Sequence, residues 1–366
     1  MKRTLLSLIL TTILAVGCQN GARLDRLCRH LFPADEPGAA VLVMIGDSVV
    51  FDRGYGLADM TTKTRIDGNT FFNIASVSKQ FTAVAILQLA EAGQLSIEDP
   101  VSKYFPEFEA DFWQNITIAQ LMSHSSGIPD ARKYTREEKI NGDEALSVAY
   151  MDTLSFLHFT PGAAYEYINP TFVLLGYIVE KVTGQPFTEY ADEHIFKPAN
   201  MKQTLYFDRD RQDLIPNMAH GYAYVDEIPR SWVEYDFGEE TFFATRPDGG
   251  IYTSTHEFVE WERSLRNATV LSEESIEDSQ SPHTLISGSP WSDYQNRPNT
   301  WYGYGWFIEP ATDSTQKVIY HTGDNGGFKI IAARYPASDA LVLVFANRSD
   351  WDRYALLQQI ESIYSF

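Results

Sequence analysis

The stretch FFNIASVSKQFTAVAILQLAEAGQL (residues 71–95) sets a serine and a lysine, Ser76 and Lys79, one helical turn apart at the head of a long apolar run. Phe81, Val84, Ala85, Leu87 and Leu89 predict a helix over about 77–92, ending at Gly93. Residues three apart on a helix share a face, so Lys79 stands over Ser76. Two chemistries fit this placement. Ser76 can cap the helix, with Lys79 a solvated first-turn residue. Alternatively Ser76 attacks a carbonyl, because a lysine among apolar neighbours holds its proton less firmly and the helix N-terminus stabilises negative charge beside it. Ser-x-x-Lys alone does not choose between them. It recurs at Ser314 and Lys317 in ATDSTQKVIY (residues 311–320), a polar loop entering a strand, where no helix brings the side chains together.

The chain on either side has a clear order. GAAVLVMIGDSVVFDRGYGLAD (residues 38–59) alternates Val41, Val43, Ile45 and then Val49, Phe51, which predicts two strands around a turn at Gly46-Asp47. From about 96 to 235 the pattern is helical pieces and loops. NPTFVLLGYIVEKVTG (residues 169–184) carries Leu174, Leu175, Ile178, Val179 and Val182 on one broad face. TSTHEFVEWERSL (residues 253–265) reads as a helix with Thr253 or Ser254 as its cap. KVIYHTG, FKIIAARYP and ALVLVFANR then return to strands, before an amphipathic helix over about 353–364. Strands at both ends with helices between predict an α+β protein. An antiparallel sheet flanked by helices would span about 33–75 and 245–366, and an inserted, mostly helical lobe about 76–244. A cleft between them would hold the site.

Composition narrows the function. The chain has 366 residues and a formal net charge of -20, which argues against a nucleic-acid partner, since phosphate binding needs clustered Lys and Arg. Lys2 and Arg3 precede an apolar run from Leu5 to Val16 and then Gly17-Cys18, a secretory signal too short for an ordinary transmembrane helix. LAVGCQN (residues 14–20) resembles a bacterial lipoprotein cleavage box, with Cys18 as the acylated residue. Residues 1–18 are therefore expected to be a lipoprotein-type signal segment and 19–366 the exported domain, periplasmic or at the cell surface. Membrane association would be through the lipid alone; Gln19, not Asp, favours the outer membrane. The other cysteine, Cys28, shares a helical face with Leu24, Leu27 and Leu31 and reads as a small core residue.

Two further stretches bear on Ser76. Tyr167-Ile168-Asn169 precedes the helix at 169–184, and His321-Thr322-Gly323 ends a strand before a glycine-rich turn. Each is weak alone. In order, S-V-S-K, Y-I-N and H-T-G resemble the three active-site elements of serine β-lactamase-related hydrolases. The likeness is to the branch that holds class C β-lactamases, D-Ala-D-Ala carboxypeptidases, esterases and D-amino-acid peptidases. LMSHSSGIPD, DGGIYTSTHEFVEW, YGYGWF and HTGDNGGF also look like landmarks of that branch, so the resemblance covers nearly the whole mature chain.

It implies a β-lactamase/transpeptidase-like fold and a serine hydrolase acting on a small-molecule or peptide substrate, without cofactor or metal. Ser76 would be the nucleophile. Lys79 and Tyr167 would move its proton as one coupled pair, and Asn169 would position the substrate amide and the lysine. His321, Thr322 and Gly323 would form a wall of the cleft, and the backbone N–H groups of Ser76 and Asp324 the oxyanion hole. Penicillin-recognising members usually have lysine where this chain has His321. A neutral histidine attracts a carboxylate less, and Asp324 adds negative charge at the rim. An ester or amide substrate without the carboxylate of β-lactams and D-Ala-D-Ala peptides is therefore expected.

Rivals fare worse. No Gly-x-Ser-x-Gly elbow accompanies His124, which reads as a structural loop residue, and GYGLAD (residues 54–59) lacks the third glycine of a dinucleotide loop. A non-catalytic, penicillin-binding-like sensor need not keep Ser76, Lys79 and Tyr167 together. The aromatic segment 222–243 lines the cleft mouth or packs between the lobes.

Overall fold

A computed structural model describes residues 19–130, 144–208, 213–225, 231–235, 245–291 and 299–366. The signal segment with Cys18 lies outside these residues, as does most of the aromatic segment 222–243.

Eight strands form one antiparallel sheet: β1 (Ala39–Ile45), β2 (Ser48–Tyr55), β3 (Thr284–Leu285), β4 (Trp301–Tyr302), β5 (Phe307–Glu309), β6 (Val318–Asn325), β7 (Phe328–Tyr335) and β8 (Ala340–Ala346). Their order is β3-β4-β5-β6-β7-β8-β1-β2, so strands from the two ends of the chain meet at the β8–β1 seam. There Val43 pairs with Val342 and Val41 with Val344. β1 and β2 turn at Gly46-Asp47, where Gly46 has φ 56.

Both faces of the sheet are covered, which is why β8 reads as an unbroken apolar run and is buried throughout. On one face Val41, Val43, Ile331, Val342 and Val344 pack on the terminal helices. These are α1 (residues 19–31), with Leu24 and Cys28, and the C-terminal helix with Leu356, Leu357 and Ile360. Cys28 is fully buried, and burial pushes its thiol up to about 12. On the other face Leu42, Met44, Ile330, Leu343 and Phe345 meet the helical lobe.

That lobe is built around α2 (Lys79–Glu91), which is buried on nearly every side from Lys79 to Leu87. It packs against α3 (Asn169–Thr183) and against α4 (Thr255–Arg266). Phe81 stacks on Trp261 with ring centroids 4.2 Å apart, and the Trp261 indole donates to Gln80 Oε1 at 2.7 Å. α4 is capped by Ser254, whose hydroxyl accepts from Glu257 N, and the C-terminal helix, α5 (Arg353–Tyr364), by Asp352.

Residues Phe72–Asn73, at the inner end of the expected sheet segment, do not join the large sheet. They pair with Ile251–Thr253, which also pairs with Leu205–Tyr206, in a small three-stranded sheet beside the start of α2. Of the aromatic segment, Tyr222–Val225 and Ser231–Glu234 form a hairpin. It sits against the end of β8: Tyr222 N donates to Asn347 O at 2.9 Å, and the Arg348 guanidinium lies 4.4 Å from the Trp232 ring.

Candidate active site

Ser76 does not cap a helix. It lies inside a short 3-10 turn, Ala75–Ser78, and neither that turn nor α2 has a side-chain cap bond. The turn is held rather than relaxed. Ala75 has φ 48, a left-handed conformation that costs a residue with Cβ about 1–2 kcal/mol. Surrounding bonds impose it: Asn73 Oδ1 accepts from Ala75 N at 2.9 Å, Ile74 N donates to Ile251 O at 3.0 Å, and Ser78 Oγ accepts from Ile251 N at 3.2 Å. Strand β6 runs hard against this turn. A Cβ on Gly323 would stand 2.3 Å from the Ile74 carbonyl oxygen and 3.0 Å from Ala75 Cβ, so only glycine permits the approach.

Lys79 is fully buried at the head of α2. Its Nζ lies 3.0 Å from Ser76 Oγ, 2.7 Å from Asn169 Oδ1 and 2.7 Å from the Asp248 carbonyl oxygen. Asn169 opens α3, ahead of Pro170, so the start of that helix delivers its amide to the lysine. Asp248 belongs to the DGGIYTSTHEFVEW stretch, and the neighbouring Pro247 carbonyl accepts from Thr82 Oγ1 at 2.5 Å. The sequence reading missed Asp248, because the contributing atom is a backbone carbonyl and any residue type could supply it.

Tyr167, Asn169, Thr322 and Asp324 line one cleft with Ser76, in a space of about 940 Å³. The Tyr167 ring centroid lies 5.0 Å from Lys79 Nζ. Aromatic neighbours fix that ring: His124 at 4.3 Å, Tyr302 at 6.2 Å and Phe307 at 6.4 Å between centroids. His124, read as a loop residue, supports the site from below. It is buried with φ 54, and its Nδ1 accepts from Ile168 N, between Tyr167 and Asn169, at 3.3 Å. Burial above all, then the charge of Lys79, holds its pKa well below the usual histidine range.

His321 departs from expectation. The resemblance placed it on the cleft wall as a substrate contact; the structure puts it wholly inside, behind Tyr167. Both ring nitrogens are engaged, Nε2 with Tyr302 OH at 2.8 Å and Nδ1 with Thr322 O at 2.6 Å. Nδ1 must donate to that carbonyl, so Nε2 accepts from the phenol. Burial, reinforced by Lys79, pushes its pKa down to about 3, and the ring is neutral at pH 7. Beyond Asp324 the cleft wall continues through Lys329, Asp350, Trp351, Asp352, Arg353 and Tyr354.

The large antiparallel sheet with an inserted helical lobe, and a serine-lysine turn at their junction, define a β-lactamase/transpeptidase-like fold. The Beta-lactamase family model matches residues 25–363, and this chain belongs to that family. Among its relatives, "Penicillin-binding protein 4*" of Bacillus subtilis (strain 168) is 28% identical over 338 residues, covering 88% of this chain and 71% of the relative. "Protein flp" of Staphylococcus aureus (strain MW2) is 29% identical over 334 residues and 89% of this chain, which spans only 62% of flp. A penicillin-binding protein from Bacillus halodurans superimposes with a TM-score of 0.75 at 28% identity, covering 88% of this chain and 95% of that one. An octameric penicillin-binding protein homologue from Pyrococcus abyssi superimposes with a TM-score of 0.77 at 23% identity, covering 97% and 77%; it bears on the fold alone.

Proposed function

We propose that this protein is an exported serine hydrolase that passes through a Ser76 acyl-enzyme on an ester or amide carbonyl. The observation that carries the reading is the position of Lys79 Nζ between Ser76 Oγ and two fixed acceptors. In its neutral form Lys79 would turn its lone pair to the Ser76 hydroxyl, with Asn169 Oδ1 and the Asp248 carbonyl among the groups that hold the amine in place. Lys79, coupled to Tyr167, takes the proton as Ser76 attacks, and the pair returns it to the leaving group. The tetrahedral oxyanion would be met by the backbone N–H groups of Ser76 and Asp324. Water then releases the acyl group by the same steps in reverse order. No cofactor enters this scheme.

A buried, neutral His321 supports a substrate without a free carboxylate, in contrast to β-lactams and D-Ala-D-Ala peptides. The alternative is penicillin recognition, favoured by the names of the relatives. One panel separates them: short-chain esters, D-amino-acid peptides, D-Ala-D-Ala peptides and nitrocefin, with Ser76→Ala as control. The reading expects ester or D-amino-acid peptide turnover to exceed nitrocefin turnover. Efficient cephalosporin hydrolysis with esters untouched would refute it. Well-folded protein that no fluorophosphonate labels would instead point to a binding module.

The lipoprotein box supports an anchor at Cys18, with the domain periplasmic or at the cell surface. Palmitate labelling of the full chain in a bacterial host should disappear in Cys18→Ala; persistence of the label would remove the anchor.

A further inference from the structure

The far wall of the cleft holds a cation that the mechanism does not use. Arg353 is the first residue of α5, and its side chain is only 8% exposed. It lies across the end of β6, donating from Nη1 to the carbonyl oxygens of Gly323 at 3.3 Å and Ile330 at 3.1 Å. Its Nη2 faces the Asp324 carboxylate and binds it. Asp324 is the residue after Gly323, which touches the nucleophile turn, and both Asp324 and Arg353 line the cleft that contains Ser76.

We infer that Asp324 is an internal occupant of a carboxylate-binding guanidinium, and that the Asp324–Arg353 pair sets the cleft against substrates bearing a free carboxylate. The inference rests on the hydrolase reading above and adds to it the element that excludes one substrate class. The two partners are held unequally. Arg353 is fixed by two backbone carbonyls, whereas the Asp324 side chain is 56% exposed and can leave without disturbing the core. A nearly buried guanidinium deprived of its partner draws in another carboxylate, in the fork geometry that arginine favours. While Asp324 stays in place, an incoming carboxylate meets a paired cation and a like charge.

Of the other charges on this wall, Asp350 is paired with Arg348 at 2.6 and 2.8 Å and Asp352 caps α5. Lys329 donates to Ser349 O at 3.1 Å and also faces the Asp324 charge, so the loss of Arg353 in an Asp324 variant separates the share of the arginine from that of the lysine. Asp350 lines the same cleft without touching Arg353, and its own partner Arg348 keeps Glu36 at 3.1 Å and the Pro37 carbonyl, so Asp350→Asn changes the charge equally and leaves both guanidinium groups held.

The test uses benzylpenicillin and its methyl ester, which differ only in the carboxylate. Each is scored by the rate at which it blocks fluorophosphonate labelling of Ser76 in the full mature chain. Wild type should react faster with the ester. Asp324→Ser should shift the acid-to-ester ratio about tenfold or more toward the acid, Asp324→Asn less, and Asp350→Asn less than about twofold. In Asp324→Ser/Arg353→Gln the gain should vanish. Equal shifts in Asp324→Ser and Asp350→Asn, or a gain that survives loss of Arg353, would overturn the pair as selector. So would failure of either compound to block labelling in every variant. Absence of labelling in wild type would remove the hydrolase reading, and this inference with it; intact labelling with an unmoved ratio removes this inference alone.

Discussion

Ser76/Lys79 and Ser314/Lys317 spell the same Ser-x-x-Lys, and the molecule treats them in opposite ways. At the first, a strained 3-10 turn feeds a buried helix, and the lysine reaches back to the serine at 3.0 Å. At the second, Ser314 sits in an exposed loop with its hydroxyl 3.4 Å from Thr312 Oγ1, and among the described residues no hydrogen bond joins it to Lys317. Burial alone does not make the difference. Lys317 is itself half-buried, and burial, helped by Arg334, lowers its pKa. A lysine that holds its proton loosely becomes a candidate base only where the backbone aims it at an acid and other groups hold it there.

Removing each lysine should separate the two motifs most sharply. Lys79→Met should lower ester turnover by about a hundred- to ten-thousandfold, the range for a lost general base. Lys317→Met should leave it within about twofold, because Lys317 does not line the cleft that holds Ser76. Comparable losses in initial-rate assays would erase the distinction between the two motifs.

A smaller effect tests the turn itself. Gly323→Ala puts a methyl group 2.3 Å from the Ile74 carbonyl, so either β6 or the Ser76 turn must shift. The expected cost is about 1–3 kcal/mol of stability in denaturant unfolding, together with slower fluorophosphonate labelling. Gly288→Ala makes no comparable contact and serves as control, although its φ of 83 adds some strain of its own. Unchanged labelling in Gly323→Ala would mean that the close approach does not shape the Ser76 turn.

A further effect is read from pH. The folded His321 has a pKa of about 3, against about 6.5 when unfolded, so the unfolded chain takes up a proton first as the pH falls. Its contribution to stability is therefore complete above pH 6.5 and is lost as the pH drops toward 3. His124, also depressed by burial, acts with the same sign. Tm should decline more steeply in wild type than in His321→Gln between pH 6.5 and 4. Parallel declines would contradict a buried, neutral His321.

Much of the fold was legible because alternation and helical spacing report burial directly. The β1–β2 turn at Gly46-Asp47, the Ser254 cap and the C-terminal helix from Arg353 to Tyr364 follow from local pattern. The site was legible as residue types in order, but not as geometry. Asp248 acts through a backbone atom, which has no sequence signature. His321 turns inward because Tyr302 and the Thr322 carbonyl take both its nitrogens, and Tyr302 comes from another strand. His124 stood in a stretch with the look of a loop, and only the packing of Tyr167 and Phe172 against it reveals a support. Arg353 reaches Asp324 from a different element, so no local pattern could pair them.

Everything proposed for this cleft requires that Ser76, and not its twin, be the nucleophile. Intact-mass spectrometry after fluorophosphonate treatment, with peptide mapping, tests it in wild type, Ser76→Ala and Ser314→Ala. One adduct mapped to Ser76, absent in Ser76→Ala and unchanged in Ser314→Ala, is the predicted result. An adduct that persists in well-folded Ser76→Ala, or none in wild type, would contradict it.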